Sequence, residues 1–172
     1  DNNVAMRRYL VRRFGHPGRW VLCVDVDELF DYPCSDRLDL ASLLGYLRSQ
    51  AYTTMVAYQL DMFSDGPVDE PPPEADGLPQ TYSLYDIADV RKPGYFKADA
   101  YGGHRFVHHN KLSNPEIARY VGGIRSRAFD LPDVYLIKHP LSLRDGRTRL
   151  THQHFVDHAS VADIPGVLYH YK

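Results

Sequence analysis

Cysteine is scarce in this sequence. The 172 residues hold two, Cys23 and Cys34, too few for a disulfide framework and without a zinc-ribbon spacing, so a reducing, cytoplasmic compartment is the expected one. Cys23 falls inside an apolar run and reads as a small hydrophobe. Long apolar runs are missing as well. Nothing approaches the ~20 residues of a membrane span, and no signal peptide is visible. Positive charge is not in excess either: 20 Lys and Arg face 22 Asp and Glu, for a net charge of −2, which gives no support to a nucleic-acid binder. The cations that are present are mostly Arg, the better fork for phosphate oxygens. Internal repeats are absent. The chain opens at Asp1 without a Met and stops at Lys172 directly after an apolar-aromatic segment, so both ends read as cuts through a longer protein.

What remains is globular, with 44% hydrophobic and 24% charged residues, and its length fits one domain over residues 1–172. The organising stretch is Trp20–Pro33, WVLCVDVDELFDYP. Five apolar residues run straight into Asp25, Val26, Asp27 and Glu28. Such a run predicts a strand buried on both faces, with Asp25 and Asp27 on one side and Val26 anchoring the other. Two carboxylates on one face repel unless a cation lies between them. Hard oxygen ligands suit Mg²⁺ or Mn²⁺, which bridge to substrate phosphates. The stretch therefore points to a divalent metal holding a phosphorylated substrate, against the plainer reading of an acidic turn after a core strand.

Around it, residues 3–14 place Met6, Leu10, Val11 and Phe14 at helical spacing, with Arg7, Arg8, Arg12 and Arg13 elsewhere as a solvated basic face. Residues 36–50 predict a second helix with Leu40, Leu43, Leu44 and Leu47 on one side, capped by Asp39 or Asp36. Residues 53–63, TTMVAYQLDMF, predict a strand. Asp61 near its end and Asp65 in the following turn are candidate general bases. Residues 66–80 form a loop rich in proline and acid, of the kind that serves as a lid, a binding arm or a disordered excursion. A short helix opening at Asn114-Pro115 and short strands over 134–138 and 150–155 complete the expectation, with residues 161–171 as a closing apolar-aromatic stretch.

Histidine concentrates in the second half, with His104, His108 and His109 in one group and His152, His154 and His158 in another. His152 and His154 in THQHF would share one face of a strand, a geometry suited to metal binding. Gly122-Gly123 ahead of Arg125 and Arg127 would let the backbone approach a diphosphate while the arginines neutralise it, or would be a turn before a surface strand.

The stretch WVLCVDVDELFDYP, followed in order by VGGIRSRAF, LIKHPL, LTHQHF and GVLYHYK, resembles the bacterial family-2-like glycosyltransferases of the GT-A fold, over nearly the whole chain. The resemblance implies an α/β domain with a mixed sheet flanked by helices, lacking the βαβ units that bind the nucleotide ahead of the DxD strand. It implies a transferase moving sugar from a nucleotide-sugar donor to a glycan or other hydroxyl acceptor. Asp25 and Asp27 match the DxD that binds Mn²⁺ or Mg²⁺ and, through it, the diphosphate. A late histidine, His152 or His154 with His170 behind them, would add a ligand, and Arg125 and Arg127 would lie against phosphates. Asp61, with Asp65 next, would deprotonate the acceptor. Two other classes compete: a non-catalytic carbohydrate-binding or interaction module on the same fold, and a haloacid-dehalogenase-like phosphatase, for which the later paired acids are missing.

Overall fold

A computed structural model describes residues 2–66, 77–99, 102–131 and 134–171. Helix α1 (Asn2–Phe14) leads to strands β1 (Trp20–Leu22) and β2 (Glu28–Asp31) and helix α2 (Leu40–Ser49). Strand β3 (Thr54–Phe63) follows, then the one-turn helix α3 (Leu78–Thr81) and the short strands β4 (Leu84–Tyr85) and β5 (Val90–Arg91). A 3₁₀ turn (Gly103–Phe106) precedes β6 (Lys111–Leu112), β7 (Val121–Gly122), helix α4 (Ile124–Ala128) and β8 (Ile137–Leu143). The chain closes through β9 (Arg149–Leu150), β10 (Val156–Asp157), β11 (Ser160–Val161) and β12 (Gly166–Tyr171). Among the described residues the result is a mixed α/β protein with few helices, two two-stranded sheets, β9 with β10 and β5 with β7, and a curled eight-stranded sheet that mixes parallel and antiparallel pairs. No helix among the described residues is long and apolar enough to cross a membrane.

Strand β3 is the centre of that sheet. β8 runs antiparallel to it between Thr54 and Tyr58, and β12 runs parallel to it from Ala57 to Met62. β1 lies outside β8, and β2 lies antiparallel outside β12. TMVAYQLDMF is dense in residues that favour strands and is buried along most of its length, as a strand paired on both edges must be. Successive side chains feed two cores. Met55 packs with Leu43 and Leu47 of α2, whereas Val56 packs with Val107, Ile137, Phe155 and Val161. Helix α2 begins where Asp39 accepts a hydrogen bond from the Ser42 amide at 2.8 Å.

The apolar run before Asp25 is not the buried central strand that its composition predicts. β1 spans three residues, pairs only with β8 and is partly exposed. Val26 anchors no face: it is fully exposed at the tip of a turn closed by the Glu28 amide on the Asp25 carbonyl at 3.1 Å. Burying three carboxylates in a sheet interior would strand their charge, so the chain turns there instead.

Other local expectations also shift. Met6, Leu10 and Phe14 of α1 are exposed, and Arg7 turns inward to Asp25. Asn114-Pro115 opens a turn, with Asn114 Oδ1 accepting from the Glu116 amide at 2.9 Å. THQHF is the bend that joins β9 to β10, so His152 and His154 do not share a strand face. Arg125 and Arg127 sit on α4 rather than on a strand. Most of the proline-rich loop, residues 67–76, lies outside the described residues.

The Gly122-Gly123 pair has an internal use. Gly122 adopts φ +99°, and a Cβ there would lie 2.4 Å from the Asp89 carbonyl oxygen. The glycine is thus required by close approach to the loop before β5, not by a ligand. Gly122→Ala is expected to lower unfolding stability by about 1–3 kcal/mol. A urea midpoint equal to that of the parent protein would contradict this packing.

Candidate functional site

The turn that ends β1 locks itself. Asp25 N–H donates to Glu28 Oε2 at 2.9 Å while Glu28 N–H donates to the Asp25 carbonyl. This fixes Asp25 and Asp27 at the rim of the sheet and sends the Glu28 side chain inward. Beneath them Lys138 of β8, 3% exposed, donates to Asp25 Oδ2 at 2.6 Å and to Glu28 Oε1. Gln59 of β3 donates to the same Glu28 oxygen at 2.8 Å. Arg7 of α1 reaches Asp25 Oδ1 from above. Burial by itself would raise the Asp25 carboxyl, but Lys138 and then Arg7 outweigh it and hold the group below its ordinary range.

A second arm starts at Asp27. His170 of β12 lies opposite Asp61 of β3 and Glu28 of β2 in the sheet register. Its Nδ1 is 2.7 Å from Asp61 Oδ1, and its Nε2 is 3.5 Å from Asp27 Oδ2. The other Asp61 oxygen accepts from Arg125 Nε at 2.7 Å. Burial raises the Asp61 carboxyl, while His170 and Arg125 lower it further, so the net shift is downward and Asp61 stays ionised. An ionised carboxylate only accepts, so His170 Nδ1 carries a proton toward Asp61, and Nε2 is the ring nitrogen that faces Asp27.

Both arms open into one cleft of about 410 Å³, whose lining includes Arg7, Asp25, Asp27, Gln153 and His170. Asp25 and Asp27 are therefore together, as their spacing suggests, although a turn rather than strand alternation brings them there. Of the histidines weighed as ligands, the one lining this cleft is His170. His154 is half-buried with Nδ1 3.1 Å from the Ile137 carbonyl, and His152 stacks on Phe106 at 4.9 Å. Gln153, between them, is the residue of that bend that lines the cleft. Asp61 lies behind His170 with both oxygens engaged. Asp65 is exposed just past the end of β3. Arg125 serves Asp61, and Arg127 pairs with Asp86 and, at 3.1 Å, with Asp89.

Sequence reasoning missed Arg7, Gln59, Lys138 and Gln153 as site residues. Lys138 carried a usable signal, being a lone charge within an apolar strand. The face that Arg7 takes on α1 gave none. Among known proteins, no family model, no curated protein and no solved structure matches the chain.

Two histidines of the fold, His139 and His154, have a consequence for acid stability. Burial pushes His139 down to about 4, and burial followed by Lys138 pushes His154 well below its ordinary value. The unfolded chain takes up protons near pH 6.5 that the folded chain refuses, so stability is full above that pH and falls as pH drops toward 4. The depressed carboxylates Asp25 and Asp61 hold their contribution through this window and lose it only below about 3.9. The urea midpoint is expected to decline steadily between pH 6.5 and 4, with net proton uptake on unfolding. A flat midpoint over that range would contradict buried neutral imidazoles.

Proposed function

We propose that the protein is a metal-dependent glycosyltransferase of GT-A type that takes a nucleotide-sugar donor and an acceptor hydroxyl. One observation carries the reading: Asp61 orients His170 so that Nε2 faces Asp27 in the cleft that also receives Asp25. A carboxylate holding the far nitrogen of an imidazole is how proteins present that ring to a cation.

The donor set fits a divalent ion in part. A carboxylate oxygen of Asp27 and the imidazole nitrogen of His170, 3.5 Å apart, suit neighbouring positions around Mn²⁺ or Mg²⁺. Asp25 as it stands is taken by Arg7 and Lys138, and it joins the ion only when one cation leaves. Arg7 is the better candidate to leave, because it reaches in from α1 and its side chain is more exposed than that of Lys138. Released, its guanidinium is a bidentate donor for diphosphate oxygens at the same rim. Bound there, the metal would neutralise charge developing on the departing nucleoside diphosphate. In this reading Asp61 is a positioning residue, and Asp65, exposed just past the end of β3, is the remaining sequence candidate for deprotonating the acceptor.

A second reading, a non-catalytic carbohydrate-binding module, draws support from the same pairings. Asp25, Asp27, Glu28 and Asp61 face Arg7, Lys138, Arg125 and one imidazole, so the cleft is close to balanced without any ion.

Mn²⁺ titration in the presence of a panel of nucleoside diphosphates separates the two. The transferase reading expects binding that one diphosphate tightens, that is lost in Asp27→Asn and His170→Gln, and that is weakened ~10–100-fold in Asp61→Asn. Binding of neutral oligosaccharides with no response to Mn²⁺ or any diphosphate would establish the module instead.

A further inference from the structure

Sequence proximity splits the histidines into two groups, but the fold regroups them. We propose that His108, His109 and Asp157, with His158 beside them, form a separate site for a borderline divalent transition-metal cation of the Zn²⁺ class. None of these residues lines the cleft of Asp25 and Asp27, and the proposal stands independently of the transferase reading.

The two segments are clamped before any metal arrives. Strand β6 pairs with β11 through Lys111 and Ser160. Buried Asn110 ties the same two stretches together: its Oδ1 accepts from the Ala159 amide at 2.9 Å, and its Nδ2 donates to the Val156 carbonyl at 2.9 Å and to the Tyr95 hydroxyl at 2.8 Å. Asp157, 3% exposed, is the fixed point. Its Oδ1 accepts from the His109 amide at 2.9 Å, and its Oδ2 lies 2.8 Å from His109 Nδ1. The same Oδ2 has His108 Nδ1 and His158 Nε2 each at 3.9 Å. His158 adopts φ +58°. That left-handed residue breaks strand alternation, so two consecutive side chains reach one spot.

A lone carboxylate does not call for this arrangement. His109 alone gives a partner to each Asp157 oxygen, through its amide and its ring. Asp157 needs neither His108, whose Nδ1 lies 2.9 Å from the Arg105 carbonyl, nor His158, yet their rings lie 3.7 and 4.3 Å from that of His109. One ligand atom from each of His108, His109 and Asp157 already lies within 4.8 Å of the others. Tetrahedral zinc at ~2.0 Å sets neighbouring ligand atoms roughly 3.3 Å apart. Side-chain rotation of the two exposed imidazoles toward the fixed carboxylate, with His108 exchanging the Arg105 carbonyl for the ion, would close that difference. Imidazole nitrogens with one carboxylate favour Zn²⁺, Co²⁺ or Ni²⁺ over Mg²⁺ or Ca²⁺. Solvent on the histidine side leaves room for a water or for His158 in the fourth position. Such an ion would staple the turn before β6 to the turn after β10.

Zn²⁺ alone, added to the intact chain, is the probe. Calorimetry is expected to show one site, and thermal unfolding a rise in Tm with zinc, since a ligand of the folded state stabilises it by mass action. His108→Gln/His109→Gln should lose at least tenfold in zinc affinity together with the Tm rise. Its zinc-free Tm should fall somewhat, because His109→Gln removes the ring nitrogen 2.8 Å from buried Asp157 Oδ2, so the zinc-induced rise is read against each variant's own baseline. Asp27→Asn/His170→Gln should keep both responses. Asp157→Asn, which retains an oxygen acceptor for the His109 amide, gives a second route to the same loss. Parent protein without zinc binding would overturn the site. So would unchanged binding in the double histidine variant, or binding lost only in the cleft variant.

Discussion

The Lys138 ammonium, buried between Asp25 and Glu28, is the interaction on which the rest of this structure depends. An ammonium and a carboxylate removed from water each cost several kcal/mol and are tolerated only together. Lys138 is 3% exposed and the Glu28 side chain fully buried, so each is the condition of the other's placement. The pair joins β8 to β2, strands on opposite flanks of β3. Gln59 closes it from β3. The acidic turn is therefore not a loop hung on a finished sheet. Its charge is part of how the sheet is held.

Two arms leave that centre. One climbs through Asp25 to Arg7, tying α1 to the rim. The other passes from Asp27 through His170 and Asp61 to Arg125, tying β12 and β3 to α4. Buried polar groups linked in this way specify a register, because a slip of one residue would turn Asp61 or His170 to the other face. The arms differ in what they leave accessible. Asp25 is satisfied by two cations of its own chain, whereas His170 is satisfied on one nitrogen and aimed with the other. Any ligand chemistry in the cleft has to begin from that asymmetry.

The sequence carried part of this. TTMVAYQLDMF reads as a strand because its density of β-forming residues leaves little alternative, and Asp39 before a leucine-rich stretch reads as a helix cap. The DVDE segment marked where two carboxylates meet in a cleft, but its geometry was misread. A short apolar run looks the same whether it becomes a central strand or, as in β1, a half-exposed edge. What decides between them is competition for the middle of the sheet, which β3 wins by length. Partner choice was illegible for a similar reason. Lys138 meets Asp25 across 113 residues and His170 meets Asp61 across 109, and no local pattern encodes such pairings. The glycines of Gly122-Gly123 were legible as a close approach, but the sequence could not say that the approaching group is the Asp89 carbonyl.

The histidines show where chemistry becomes readable only after topology. In the chain, His152 and His154 look like a ligand pair and His108 and His109 like an unrelated neighbour. In the fold, THQHF becomes a bend that turns His154 toward the Ile137 carbonyl, while β6 and β11 bring His108 and His109 to Asp157 and His158. Two environments of different hardness result. The cleft offers carboxylate oxygens with a single imidazole, a harder donor set of the kind that suits Mn²⁺ or Mg²⁺. The Asp157 cluster offers several imidazoles around one oxygen, a set that prefers zinc. A protein needing one cation for reaction and another for cohesion gains from that separation, because each ion is then a poor competitor at the other's ligands.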